Sequence, residues 1–492
     1  MPSYALTMAS SRAMNVSVVT GKRETMYATR SEPARPPVLL LLAVGVIGIA
    51  VGVLSGHRPL LALVAVAAAL FLAGTLSDLA IGLFLFTILS FFDKVPALGG
   101  PTISVTKATG LLLALAWLAT VVTREHDRRT LARDHPGLLY LLAVFVLWTA
   151  ASAAWAESPS DALATAYRFG LNLFLFGIAY TAVRSMRVVE SLFVAFVLGA
   201  LISLSFGLVA GTPAEFGGDE GRVGGAHVNP NELASVLVPA VALAGALALN
   251  RSLNPLLRLG SFGACLLAVG GTLMTLSRSG LLALGVVLIS APFLAGRWRA
   301  PATAAAVVAI VAVVGYLAVL ASPQDYGRVT ELGTGTGRVD LWTVGFRIIE
   351  DRPLLGIGAD NFRTTAIDYV VRPGVLREDE FIVNEPEEVH NIYLQVLVEL
   401  GLVGFALFAA VVSIAVRCVL RAAAVLKAVG DSIGELLARA LLVAILGNLV
   451  ANFFASEIYS KQFWLLLALG PALLGLAAAR ARTAPRPSAG HP

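Results

Sequence analysis

Long apolar runs alternate with short polar turns along almost the whole chain. The runs fall near 37–55, 59–76, 79–92, 108–123, 137–154, 164–183, 188–210, 231–249, 256–276, 280–296, 302–321, 390–416, 434–456 and 462–479. Most have no polar face, unlike the one-sided helices of a soluble domain. About 20 mostly apolar residues carry a helix across a bilayer, and most of these runs come close. The pattern predicts an all-α fold, a polytopic membrane helix bundle of roughly 12–14 spans. Residues 1–36 form a polar tail without an apolar core, expected to be disordered. Residues 37–321 form the first part of the bundle, 390–479 its C-terminal helices, and 480–492 a second polar tail. Between the two apolar blocks lies the longest polar insertion among the runs, 322–389.

Composition sharpens this reading. The charged fraction is 14% and the hydrophobic fraction 57%, against roughly 25% charged in soluble domains. The net charge of +5 is no nucleic-acid footprint. The basic residues sit in short loops, where they set orientation. One set of turns carries Arg124, Arg128, Arg129 and Arg133, then Arg184 and Arg187, Arg251 and Arg258, Arg297 and Arg299, and Arg417, Arg421 and Lys427. The alternate turns carry acids: Glu157 and Asp161, then Glu215, Asp219 and Glu220, then the insertion. Positive charge accumulates on the cytoplasmic side. Both termini are therefore expected in the cytoplasm and 322–389 outside it. On this topology Cys265 and Cys418 lie at different depths, so no disulfide is expected.

Inside the insertion, Val339, Trp342, Phe346 and Ile349 fall on one face of a short amphipathic helix, 339–350. That helix is expected on the membrane surface or across the mouth of the bundle. Pro353 and Gly356-Ile-Gly358 end it.

Three clusters could carry chemistry. His390 stands where the insertion enters the next helix, and imidazole titrates in the range suited to proton transfer near neutral pH. On that helix His390, Leu394, Leu397, Gly401 and Gly404 share an arc, and the glycines admit a close neighbouring helix. Asn391, Gln395 and Glu399 form a parallel polar stripe. Glu399 lies roughly 13 Å beyond His390 at 1.5 Å per residue, so it must be paired, protonated or wet. Arg278, in Leu276-Ser-Arg-Ser-Gly280, occupies a tight turn at the membrane boundary. A guanidinium there suits phosphate oxygens. Arg338, in Gly337-Arg-Val-Asp-Leu-Trp342, could meet the same anion from the insertion, aided by helix N-terminal amides. The blander accounts are a helix-start histidine, a packing cluster, a snorkelling arginine and a surface ion pair. His227-Val-Asn-Pro-Asn231-Glu232 opens a span from the same side, as a helix cap or an acceptor contact. Asn448, Asn452 and Ser456 stripe another span as interhelical glue. Glu385, Glu387, Glu388 and His390 crowd together without a metal-ligand spacing, so no metal is expected.

These residues bear a resemblance. His390-Asn-x-x-Leu-Gln-x-x-x-Glu399-x-Gly401-x-x-Gly404, with Gly337-Arg338-x-x-x-Trp342, Pro353-Leu-Leu-Gly356-Ile-Gly358 and Thr275-Leu-Ser-Arg278-Ser-Gly280, resembles the bacterial O-antigen ligase and O-antigen polymerase superfamily. The resemblance covers about 227–408. It implies a GT-C-like bundle with one large extracytoplasmic loop containing short helices, in the bacterial plasma membrane. It implies an inverting transfer of glycan from undecaprenyl diphosphate to an acceptor hydroxyl, without metal or other cofactor. The partners implied are the bilayer, the lipid-linked glycan and an acceptor glycan or glycolipid, with no nucleic acid. Carried over by position, Arg278 and Arg338 hold the diphosphate and His390 serves the acceptor hydroxyl. Asn391, Asn231, Trp342 and Glu399 are the expected substrate contacts. Ligase and surface-polysaccharide polymerase remain open, as does a glycan-lipid transporter. A transporter would place its charges near the midplane and show related halves.

Overall fold

A computed structural model describes residues 59–93, 105–123, 129–210, 222–227, 229–320, 338–370, 376, 380–383 and 387–483. The tail expected at 1–36, residues 484–492 of the tail expected at 480–492, the apolar run at 37–55 and the acids Glu215, Asp219, Glu220 and Glu385 lie outside them; residues 480–483 continue the helix Lys461–Thr483 instead. The chain divides into two compact units, Met1–Val66 and Ala67–Pro492, and the second carries every helix from Leu79 onward.

The longer helices are α1 (Pro59–Ser77), α2 (Leu79–Leu89), α3 (Val105–Thr123), α4 (Pro136–Ala151), α5 (Pro159–Ala182), α6 (Met186–Ala210) and α7 (Pro230–Leu249). They continue with α8 (Pro255–Met274), α9 (Arg278–Leu294), α10 (Arg299–Gly315), α11 (Arg338–Asp351), α12 (Ile392–Ala428), α13 (Ser432–Ala451) and α14 (Lys461–Thr483). Among the described residues, ten helical segments are long and apolar enough to cross a membrane, and three shorter apolar ones accompany them. The chain is an all-α polytopic membrane protein.

Burial separates the centre of the bundle from its rim. The spans of α7, α13 and α14 are 72%, 72% and 83% buried, whereas the segment containing α10 is 6% buried. All are similarly apolar, so hydropathy alone does not distinguish a core helix from a lipid-facing one. At the centre, Trp464 of α14 is fully buried among Phe145, Phe169, Phe176, Phe408 and Phe463. Its indole N–H donates to the Ile458 carbonyl at 2.6 Å, which satisfies the one polar group it brings inside.

The described part of the insertion folds onto the first half of α12 around a small core of its own. Leu341, Val344 and Ile348 of α11 pack with Ile357, Phe362 and Val389, and with Leu394 and Val398 of α12. The expected helix face divides, with Trp342 and Ile349 packed against this core. Val339 and Phe346 remain exposed, while Leu341, Val344 and Ile348 are buried. The helix carries two adjacent apolar stripes, and contact with α12 selected the one the simple spacing did not. The helix itself, Arg338–Asp351, matches the expected span closely.

The arc drawn through His390, Leu394, Leu397, Gly401 and Gly404 is also corrected. His390 precedes the helix, with φ at 52°, and Asn391 caps it. Gly401 has φ 67° and ψ −172°, so α12 is broken there. At Gly401 the close neighbour is not a helix but the 353–358 segment, whereas Gly404 faces Trp148 of α4. A side chain on Gly401 would meet the Leu354 carbonyl oxygen at 2.1 Å. Ile357 and Gly358 donate their N–H groups to the Val398 and Glu399 carbonyls at 3.1 and 2.9 Å. Beyond the break, Leu402 and Val403 donate to the Pro353 and Leu354 carbonyls at 2.9 and 3.4 Å. Trp148 of α4 donates its indole N–H to the Leu400 carbonyl at 3.0 Å. Irregular backbone at such a position persists only where protein groups satisfy it, and the Pro353–Gly358 segment supplies most of those groups.

Candidate functional site

The N-termini of α7, α9, α11 and α12 meet at one end of the bundle. At the α8–α9 turn, Leu276 takes φ 48° and the chain reverses within three residues. Ser277 then caps α9, its hydroxyl accepting from the Gly280 N–H at 3.2 Å and donating to Asn231 Oδ1 at 2.7 Å. Arg278 is thereby the first residue of α9, half-buried. Arg222 arrives from the preceding loop. Its Nε donates to the Thr275 carbonyl at 3.0 Å and its Nη2 reaches Asn231 Oδ1 at 3.4 Å. Asn231, expected to contact substrate, is thus the acceptor that ties the α7 cap to the arginine turn.

Arg338 faces this group from the first turn of α11. Burial, and then the positive charges of Arg222 and Arg278, push its pKa down to about 10. Arg338 is therefore near enough to both other guanidiniums to be repelled by them, as in a site that receives an anion. Arg222 escaped the sequence reading. Its signal was there: it is the one arginine or lysine between 211 and 229, in a loop otherwise acidic or neutral.

His390 belongs to a second group joined to the first through α11. Trp342 lies one helical turn beyond Arg338, roughly 6 Å along the axis. Its indole N–H donates to the Val389 carbonyl at 2.9 Å, and its ring packs on Phe453 and Phe454. The His390 N–H donates to the Ser456 hydroxyl at 2.9 Å. His390 Nε2 is 3.2 Å from Glu387 Oε2. That hydrogen bond, opposed by burial, holds the Glu387 carboxyl below the usual range. Asn391 Oδ1 accepts from the Tyr393 and Leu394 N–H groups at 3.0 and 3.1 Å, which makes it a capping residue first.

Glu399 stands apart from both groups. It is buried at the helix break, where Oε2 accepts the Asp360 N–H at 2.9 Å and Oε1 accepts from Gln395 at 3.3 Å. Asp360 in turn pairs with Arg168 at 3.2 Å, and Arg168 lies over the Tyr459 ring. Glu399 thus fastens the turn after Gly358 to α12 and α5. The structure brings Arg278, Arg338 and Asn231 together, links Trp342, His390 and Asn391 to them, and gives Glu399 a place in the support. Asn448 donates to the Ser235 carbonyl at 2.8 Å and Asn452 to Asn448, an interhelical bond of the kind expected. Among the described residues, no three His, Cys, Asp or Glu side chains converge as metal ligands would, and Cys265 and Cys418 are both free thiols.

No curated protein matches the chain. Residues 263–409 match the sequence pattern of the family described as O-antigen ligase. That segment starts in α8 and ends in α12, and it contains Arg278, Arg338, Trp342, His390, Asn391 and Glu399. Over that segment the chain is similar to the O-antigen ligase family.

Proposed function

We propose that the protein transfers a glycan from undecaprenyl diphosphate to an acceptor hydroxyl, at the extracytoplasmic face of a bacterial plasma membrane. The observation that carries this reading is the convergence of Arg222, Arg278 and Arg338, with His390 held nearby through Trp342. The diphosphate oxygens sit among the guanidiniums, which bind such oxygens in a planar, bidentate way. The acceptor oxygen attacks the anomeric carbon from the face opposite the diphosphate. The bond from that carbon to the diphosphate oxygen breaks, its electron pair leaves with undecaprenyl diphosphate, and the configuration inverts. The arginines stabilise the charge that develops there. The hydroxyl proton passes to His390, and Glu387, 3.2 Å from its Nε2, orients the imidazole. The leaving group is already a good one, so these residues suffice for the step.

Ligation to a lipid A-core sugar is the reading we adopt. Surface-polysaccharide polymerisation uses the same donor and the same residues. The test is reconstitution of the purified protein with an undecaprenyl-diphosphate glycan and separately offered acceptors. Transfer to core lipid supports the ligase; growth of the glycan on itself supports the polymerase. Arg278→Ala, Arg338→Ala and His390→Ala should each abolish transfer while inserting normally. Full transfer by all three would remove these residues from the chemistry, and no transfer by the purified wild type would favour a scaffold or a transporter.

A further inference from the structure

The end of the bundle away from the arginine cluster holds a cavity that glycan transfer does not use. It is about 480 Å³ in volume and lies between the last turns of α12 and α14 and the short helix Leu131–Asp134. Part of its wall is apolar: Ala424, Val425, Leu474 and Ala478. The polar lining is Arg421, Arg482, Asp134, His135 and Tyr180. The Asp134 carboxylate is already engaged, accepting the Tyr180 hydroxyl at 2.6 Å. Arg421 and Arg482 are exposed, and among the described residues no carboxylate pairs with either.

A third guanidinium stands behind the wall. Arg129 donates to the Val183 carbonyl at 2.9 Å and lies over the Tyr180 ring. Its Nη1 is buried and, among the described residues, has no acceptor. A buried N–H without a partner is destabilising. Gly475 lines the cavity at this point, where an added Cβ would come within 2.6 Å of the Tyr180 hydroxyl and 3.1 Å of Arg129 Nη1. Glycine keeps that wall open. The cavity thus combines a surplus of guanidinium charge with an apolar groove between two spans. Loop charges predict this end to be cytoplasmic, where anionic lipids attract basic residues.

We propose that the cavity binds the phosphate headgroup of an anionic membrane lipid, with an acyl chain lying along the α12–α14 wall. The test is native mass spectrometry of the full chain, exchanged with phosphatidylglycerol or with phosphatidylcholine of the same acyl chains. The paired variant Arg421→Gln/Arg482→Gln changes two exposed side chains and leaves the fold intact, as circular dichroism will verify. The wild type should retain phosphatidylglycerol about thirtyfold more than this variant, from about 1 kcal/mol per interfacial basic residue. Phosphatidylcholine should not distinguish the two. Ala478→Trp, which fills the groove without changing charge, should lower phosphatidylglycerol retention as well. Equal retention of the two lipids by the wild type, or retention unaffected by either variant, overturns the proposal. If inorganic phosphate alone raises the unfolding temperature of the wild type but not of the paired variant, while the lipids bind equally, the ligand is a soluble anion and the lipid assignment is wrong.

Discussion

Replacing Gly401 by alanine tests whether the helix break is held open by the 353–358 segment. The glycine has φ 67° and ψ −172°, a region open in practice to glycine alone, where another residue costs about 1–3 kcal/mol. The new methyl would stand 2.1 Å from the Leu354 carbonyl oxygen and 2.6 Å from the Leu355 nitrogen. Both are backbone atoms and cannot swing aside. The segment must therefore retreat, which loosens the bonds Ile357–Val398, Gly358–Glu399, Leu402–Pro353 and Val403–Leu354. Each contributes about 1 kcal/mol net. Strain and lost bonds together give a destabilisation of about 3–6 kcal/mol. The assay is equilibrium unfolding in mixed micelles against sodium dodecyl sulfate, with Gly285→Ala as comparator. A Cβ on Gly285, inside α9, meets nothing within 4 Å, and alanine there should be neutral or slightly stabilising. If the two variants unfold alike, the segment does not hold the break and this account of α12 is wrong.

Three further substitutions probe the site. Arg338→Gln relieves repulsion from Arg222 and Arg278 and the burial of a charge. It should raise stability without ligand by roughly 0.5–2 kcal/mol while abolishing transfer; loss of stability together with activity would mean the arginine is a structural ion-pair member. Glu387→Gln concerns pH. The folded carboxyl titrates below its ordinary value, so its contribution to stability is present above the unfolded pKa of about 4.3 and is lost as pH falls through the lower folded value. The variant should flatten unfolding curves across that acidic window and slow transfer at neutral pH; unchanged curves would remove the His390–Glu387 pair from the account. Trp342→Phe keeps the ring but removes the donor to Val389. It should cost about 1 kcal/mol of stability and lower transfer well beyond that, because α11 no longer holds the His390 turn; a rate matching wild type would separate α11 from the base.

The membrane-spanning pattern was readable residue by residue, since a span must be apolar whatever it packs against. The runs at 231–249, 434–456 and 462–479 were all recovered as helices. Arg278 was found in the tight turn its neighbours indicate, because Ser277 and Gly280 carry a cap signal wholly local to the chain. The stripe of α11 that packs on α12 was not legible, for the opposite reason. Helical periodicity supplied two candidate faces, and the choice between them depended on Leu394 and Val398, distant in sequence. Gly401 and Gly356 were noticed as glycines, but their pairing across the break was not visible. Main-chain hydrogen bonds between such segments leave no mark in side-chain pattern.

Local chemistry along the chain therefore sufficed for the all-α membrane class and for most of the apolar helices, and it singled out the arginine and histidine motifs. Each of those follows from solvation of a residue in its own short stretch. The company each motif keeps came from packing: Arg222 beside Arg278 and Arg338, Ser456 on the His390 N–H, Asp360 on Glu399. These contacts join parts of the chain separated by many residues, and they exist because the broken α12 lets the insertion fold down onto the ends of the spans.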